Sequence, residues 1–346
     1  MDLTITLFLV QDGVINGAVY ALAAMALVLV FAVTRVILVP QGEFIAFATL
    51  TLSALENGRV PGTGAMLVAL GVSAAVAALI RHRRELTWRR LLSIAAFDLL
   101  LPLALFGLTR LIAPMKLGPA VEIPLAIALV VPMGPMMYRI AFEPLAHASV
   151  LVLLIAAFGV HFSILGLGLY FFGPEGIGTQ PLAAGSFDLG PLPVTGQSVV
   201  VLAVTAALLV LFHLFSERTL LGKALRACSS NRLGARLVGI PTALAGGTAF
   251  GLAAALGAVS GVLIGPLQTV YYDSGFLIGL KAFVAAIIGG LVSYPLAVAA
   301  AVAVGLAEAF FSFWQSNFKE ALVFALLIPV LLARSFGAQP HEEEAE

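Results

Sequence analysis

Five ionisable side chains stand inside long apolar runs of this 346-residue chain: Glu43, Asp98, Glu122, Lys281 and Glu308. A charge within hydrocarbon is costly, so each should be paired, set against a pathway, or engaged in moving a proton. Glu308, in VAVGLAEAFF, lies near the middle of its run with the small Gly305 and Ala309 beside it. Lys281 is placed either to snorkel from a helix end or to pair with a buried acid such as Glu43 or Glu308. A proton relay would call for several facing carboxylates or histidines, and the histidines (His82, His147, His161, His213, His341) are scattered. Other chemistries lack their residues. There is no HExxH, no GxSxG and no metal-spaced His or Cys cluster, so neither a catalytic nor a metal-ligating residue is assigned. The single cysteine, Cys228, rules out an internal disulfide. Gly222-Lys223 lacks the upstream Gly and the following Ser or Thr of a phosphate-binding loop. Any ATP that powers this protein is therefore bound elsewhere.

A second grouping is basic. GKALRACSSNRLGARLVGIP, residues 222–241, carries Lys223, Arg226, Arg232 and Arg236 between two apolar runs. Ser229, Ser230 and Asn231 are N-cap residue types, and Gly239 followed by Pro241 is a stop signal. The spacing predicts about two helical turns over 232–238, with Arg232 and Arg236 on one face and Leu233 and Leu237 on the adjacent one. Two readings stay open: a positive loop that fixes topology and touches anionic lipid, or an amphipathic helix that docks a protein.

These residues have to be positioned by membrane helices. The chain is 61% hydrophobic and 10% charged, with a mean hydropathy of +1.09, whereas soluble domains carry roughly 25% charged residues. Apolar runs near 9–33, 41–55, 62–80, 91–112, 119–138, 148–172, 197–215, 242–265, 277–292, 295–314 and 320–334 approach or exceed the roughly 20 residues that cross a bilayer. The first lacks a basic leader and is too long for a cleavable signal, so it is read as a span. The fold class is all-α and polytopic, with 8–11 spanning or partly spanning helices forming one transmembrane domain over 1–346. The runs 41–55 and 277–292 are short, as tilted or broken helices are.

The positive-inside rule orients the set. With 81–90 (RHRRELTWRR) in the cytoplasm and sides alternating, thirteen of the eighteen lysines and arginines fall inside. The N-terminus is then outside and the C-terminus inside. The Gly- and Pro-rich 173–196 becomes an external loop, 216–241 a cytoplasmic one, and 335–346 a cytoplasmic tail ending in HEEEAE. In GLAAALGAVSGVLIG (251–265), Gly257, Gly261 and Gly265 share one helical stripe and allow a neighbouring backbone close.

Four blocks together resemble the permease subunits of branched-chain amino acid ABC transporters of the LivH type. They are NGAVYALAAMALVLVFAVTRVILVPQGEF (16–44), LGKALRACSSNRLGARLVGIP (221–241), GLKAFVAAIIGG (279–290) and VGLAEAFF (304–311). The resemblance covers the first fifty residues and most of 139–334. It implies a membrane dimer with a second permease subunit, two cytoplasmic ATPase subunits that bind ATP and Mg, and an external solute-binding protein. This chain would hold no cofactor and no nucleic acid, and would sit in the bacterial inner membrane. Residues 232–238 would be the coupling helix, with Arg226, Asn231, Arg232, Leu233, Arg236, Leu237, Gly239 and Ile240 meeting the ATPase. Asn16, Tyr20, Gln41, Gly42, Glu43, Lys281 and Glu308 would be pathway or buried polar positions.

The chain also departs from that pattern. It has Leu38-Val39-Pro40-Gln41 where the family has Asn-Phe-Ala-His, and Val292 and Leu296 where the family repeats glycine. Residues 62–118 add one helical hairpin, for which a lipid-facing position is expected. An ion-coupled secondary transporter using Glu43, Lys281 and Glu308 is the competing reading.

Overall fold

Backbone groups in hydrocarbon must satisfy one another within a segment, so continuously apolar runs become helices. The computed structural model describes residues 2–83, 87–189 and 192–337. The tail HEEEAE and the middle of the basic 81–90 stretch lie outside the described residues. Nine helices among the described residues are long and apolar enough to cross a membrane.

The centre is α1 (Leu3–Thr34), buried on every side from Gly17 to Val30. A helix apolar all round belongs in the interior. It runs antiparallel to α14 (Tyr294–Trp314), and two glycines set the spacing. A methyl added at Gly13 would lie 2.7 Å from the Cα of Leu306, and one at Gly17 2.7 Å from that of Val302.

The two short runs are helices that begin inside the bundle. α2 (Gln41–Glu56) starts after Pro40 level with the middle of α12 (Thr242–Ile264), where the Gln41 amide donates to the Ala253 carbonyl at 3.1 Å. It then runs along the glycine stripe of α12: methyls at Gly257, Gly261 and Gly265 would meet Phe44, the Ile45 carbonyl, and Thr49 with Thr179. α13 (Ser274–Ile288) begins against the same point from the other side. A methyl on Gly42 would fall 1.7 Å from the Gly275 carbonyl oxygen, so two helix N-termini cross here backbone to backbone. α1–α2 and α12–α13 thus repeat one motif in opposite directions: a full helix, a re-entrant segment, then a half-length helix. Inverted repeats of this kind underlie many transporter folds.

The remaining elements wrap this core. The hairpin comprises α3 (Gly62–His82), then α4 (Trp88–Ile94), a π-turn (Ala95–Leu100) and α5 (Leu101–Ile112) in one continuous span. Its α4–α5 arm is mostly exposed, while α3 rests on the next span. That span is α6 (Pro119–Val130) and α7 (Met133–Met137), ending in a second π-turn (Tyr138–Phe142). α8 (Val150–Phe172) and α9 (Gly196–Arg218) present broad apolar surfaces. Between them, β1 (Ser186–Leu189) and β2 (Leu192–Thr195) form an antiparallel hairpin within the predicted external loop. The predicted last span is two helices, α15 (Lys319–Ala325) and α16 (Leu327–Gly337).

Candidate functional site

The basic segment folds as two helices rather than one. α10 (Leu220–Ser230) follows α9 after a cap at Thr219, whose hydroxyl accepts from the Gly222 N–H at 2.9 Å. α11 (Arg232–Leu237) follows at once. Ser229 and Ser230, expected as caps, are the last residues of α10; Ser229 bonds back to the Arg226 carbonyl. Asn231 alone caps α11, accepting from the Gly234 N–H at 2.8 Å. The helix stops where Gly239 turns left-handed (φ 87°), which lets the Ile240 N–H reach the Ala235 carbonyl at 2.9 Å.

The two arginines of α11 do not share a role. Arg232, expected beside Arg236 on an open face, turns inward and donates to the Ala146 carbonyl at 3.1 Å. Arg236 stays exposed, as do Leu233, Leu237 and Val238, which are 68%, 80% and 77% exposed. Leu233, Leu237 and the following Val238 thus form an exposed apolar patch at the end of the segment. Arg226 lies on α10, 3.8 Å from Glu217, at the rim of a cavity of about 380 Å³ between α1, α9, α10 and α14. Ile240 is half-buried at the end of the segment. Cys228 on α10 is buried, and burial pushes its thiol above the ordinary range.

The charges within the spans resolve into separate clusters. Lys281 on α13 donates to Glu308 on α14 at 2.6 Å, and Tyr20 on α1 donates to the other Glu308 oxygen at 2.7 Å. Glu320 on α15 joins Lys281 at 3.2 Å. Of the two acids suggested for Lys281, the structure selects Glu308. Glu43 instead meets His161 of α8, Oε1 to Nδ1 at 2.5 Å, and the imidazole stacks on Phe276 of α13 at 4.5 Å. The three side chains that motivated an ion-coupled site therefore do not form one. Gln41 and Gly42 serve the α2–α12 and α2–α13 crossings. Asn16 lines a cleft of about 340 Å³ with Gln11, Asp12, Ser198 and Gln268, near the β-hairpin.

Asp98, fully buried, is held by both guanidinium nitrogens of Arg139, while Glu122 accepts from the Gly118 N–H at 3.2 Å at the start of α6. Sequence reasoning missed His161, Arg139 and Glu320 as partners. Each buried charge demanded an opposite or hydrogen-bonding mate, which is the signal that points to them. Among the described residues no group of three or more His, Cys, Asp or Glu could hold a metal ion.

With this arrangement in view, the similarities of the chain become specific. Residues 85–331 match the family described as "Branched-chain amino acid transport system / permease component". The chain is 32% identical over 206 residues to the high-affinity branched-chain amino acid transport system permease protein LivH of Escherichia coli K12, covering 58% of this chain and 67% of that one. It is 30% identical over 295 residues to the protein of the same description, BraD, of Pseudomonas aeruginosa, covering 83% of this chain and 94% of the other. Among solved structures it is similar to PsaBC from Streptococcus pneumoniae in complex with Fab, at 17% identity and a TM-score of 0.41, over 96% of this chain and 93% of that one. The chain is a multi-pass membrane protein that belongs to the family of permease components of branched-chain amino acid transport systems.

Proposed function

We propose that this chain is the permease subunit of an ABC importer for branched-chain amino acids or related small organic solutes, driven by ATP hydrolysed with Mg on separate cytoplasmic subunits. The observation that carries the reading is α11: a capped helix between two spans, with Leu233, Leu237 and Val238 exposed beside Arg236. A helix this short gains little from its own hydrogen bonds, and its apolar face gains nothing by meeting water. Both features are accounted for if the surface is covered by an ATPase whose closure pushes on it.

In this reading the α10–α11 end is cytoplasmic, the β-hairpin end meets a solute-binding protein, and a second permease completes the pathway in a bacterial inner membrane. The buried pairs Lys281–Glu308 and Glu43–His161 then hold the half-length helices in place instead of carrying protons.

The test is uptake by the chain co-expressed with its ATPases, second permease and binding protein. Leucine, isoleucine or valine uptake should need ATP and persist without a proton gradient. Leu233→Asp with Leu237→Asp should insert normally but lose the ATPase on co-purification. Uptake that survives ATP depletion and collapses with the proton gradient would instead support ion coupling.

A further inference from the structure

Among the described residues of the peripheral hairpin one charge is fully buried, Asp98, and it sits on a π-turn (Ala95–Leu100). Its mate, Arg139, sits on the other π-turn (Tyr138–Phe142). π-turns are rare, disturb the helical ladder, and occur frequently at functional sites. Here both ends of one ion pair stand on such turns: Arg139 Nη1 donates to Asp98 Oδ2 at 3.1 Å and Nη2 to Oδ1. The paired fork fixes the guanidinium in plane and orientation.

The contacts continue toward α11. Arg81, at the end of α3, pairs with Glu143 at 3.1 Å and donates to the Arg139 carbonyl at 3.1 Å. Glu143 opens a tight turn in which the Leu145 N–H bonds the Phe142 carbonyl, Ala146 bonds Glu143, and Ala148 bonds Leu145. Fixing Glu143 therefore fixes the direction of the Ala146 carbonyl, and that carbonyl receives Arg232 of α11. Within α11 only Ala235 is buried, and the helix otherwise rests on α10 and α12.

We propose that the hairpin 62–118 braces the coupling helix. Arg81, Asp98, Arg139 and Glu143 are positioning residues that hold α11 through the 143–148 turn and Arg232. The proposal rests on the reading that α11 receives the ATPase, and it adds a part of the chain that reading leaves idle. Without the brace α11 still forms, but pivots about its ends, and ATPase closure is spent on that motion.

Glu143 and Arg81 are partly exposed, at 24% and 30% of their side chains, so neutralising either leaves the fold intact. The experiment uses the complete transporter in nanodiscs with Glu143→Gln, Arg81→Gln, and the exchanged pair Arg81→Glu with Glu143→Arg. The first readout is solute taken up per ATP hydrolysed. The second is the mobility of a spin label on Arg236→Cys in a Cys228→Ser permease, read without any ATPase. Each single variant should lower uptake per ATP by about two- to fivefold, the population change that a partly exposed ion pair can hold. The label should loosen, and the exchanged pair should restore both.

Unchanged uptake per ATP with an unchanged label overturns the brace. So does a loss that the exchange does not restore and that follows the melting temperature alone. If instead Leu233→Asp with Leu237→Asp leaves ATPase binding intact, the docking reading fails, while the label still reports on the brace.

Discussion

Removing the ammonium of Lys281 or the carboxylate of Glu308 should harm the protein more than removing both. The pair is out of solvent, with side chains 7% and 12% exposed, so the discount for a surface ion pair does not apply. Breaking a buried pair by losing one partner costs about 3–5 kcal/mol, chiefly because the other charge stays buried and uncompensated. For Glu308→Leu, Lys281 keeps Glu320 at 3.2 Å, which argues for the low end, about 3 kcal/mol. For Lys281→Met, Glu308 keeps only the Tyr20 hydroxyl at 2.7 Å, and Glu320 loses its ammonium partner. Two acids from α14 and α15 are then left with no cation between them, so the cost lies toward about 5 kcal/mol. With Lys281→Met and Glu308→Leu together, the main residual penalty is the buried Tyr20 hydroxyl, because the Glu320 side chain is 36% exposed and can be hydrated. An unsatisfied buried group of that kind costs about 1–3 kcal/mol. The singles sum to about 8 kcal/mol, so the double should fall short of additivity by several kcal/mol. The assay is a double-mutant cycle on thermal unfolding in detergent, followed by size-exclusion fluorescence. Melting temperatures that drop additively, or a double variant worse than both singles, would refute the claim that these charges compensate each other.

Other substitutions test the geometry at separate points. Gly42→Ala should abolish correct folding or cost at least about 3 kcal/mol, because the Gly275 carbonyl facing it is backbone and cannot turn away; Gly159→Ala, with open space around it, should melt like the parent. Asn231→Ala removes the cap of α11 and should weaken the helix by about 1 kcal/mol, read as faster amide exchange across 232–237. Burial raises the Cys228 thiol pKa in the folded state, so the thiolate fraction at neutral pH is lower than in the unfolded chain. Maleimide labelling should be slow when folded, quicken as pH rises, and become rapid in SDS; fast labelling of the folded protein at pH 7 would contradict the burial.

Much of the fold was legible because the bilayer permits so few solutions. Continuous apolar runs had to be helices, and the two short ones, 41–55 and 277–292, were already marked as tilted or broken. That they begin inside the bundle and cross at Gly42 and Gly275 was not legible, since a glycine in sequence does not name the backbone it will meet. The cap at Asn231 and the stop at Gly239 were readable because both act on their own neighbours. Arg232 was misjudged for the opposite reason: its partner, the Ala146 carbonyl, lies 86 positions away in the chain. A separation of 41 positions from Asp98 likewise hid Arg139, which counted in the sequence only as one more inside cation. Its value to orientation and its value to Asp98 are separate physical facts, and charge counting sees only the first. The wider consequence concerns irregular helices. Neither π-turn has a sequence signature, yet each places its charge where a regular α-helix of the same residues would have rotated it aside by roughly a quarter-turn. Restoring ideal α-geometry on either side would rotate Asp98 or Arg139 away from its partner, so the buried Asp98 is held by a departure from ideal structure on both helices.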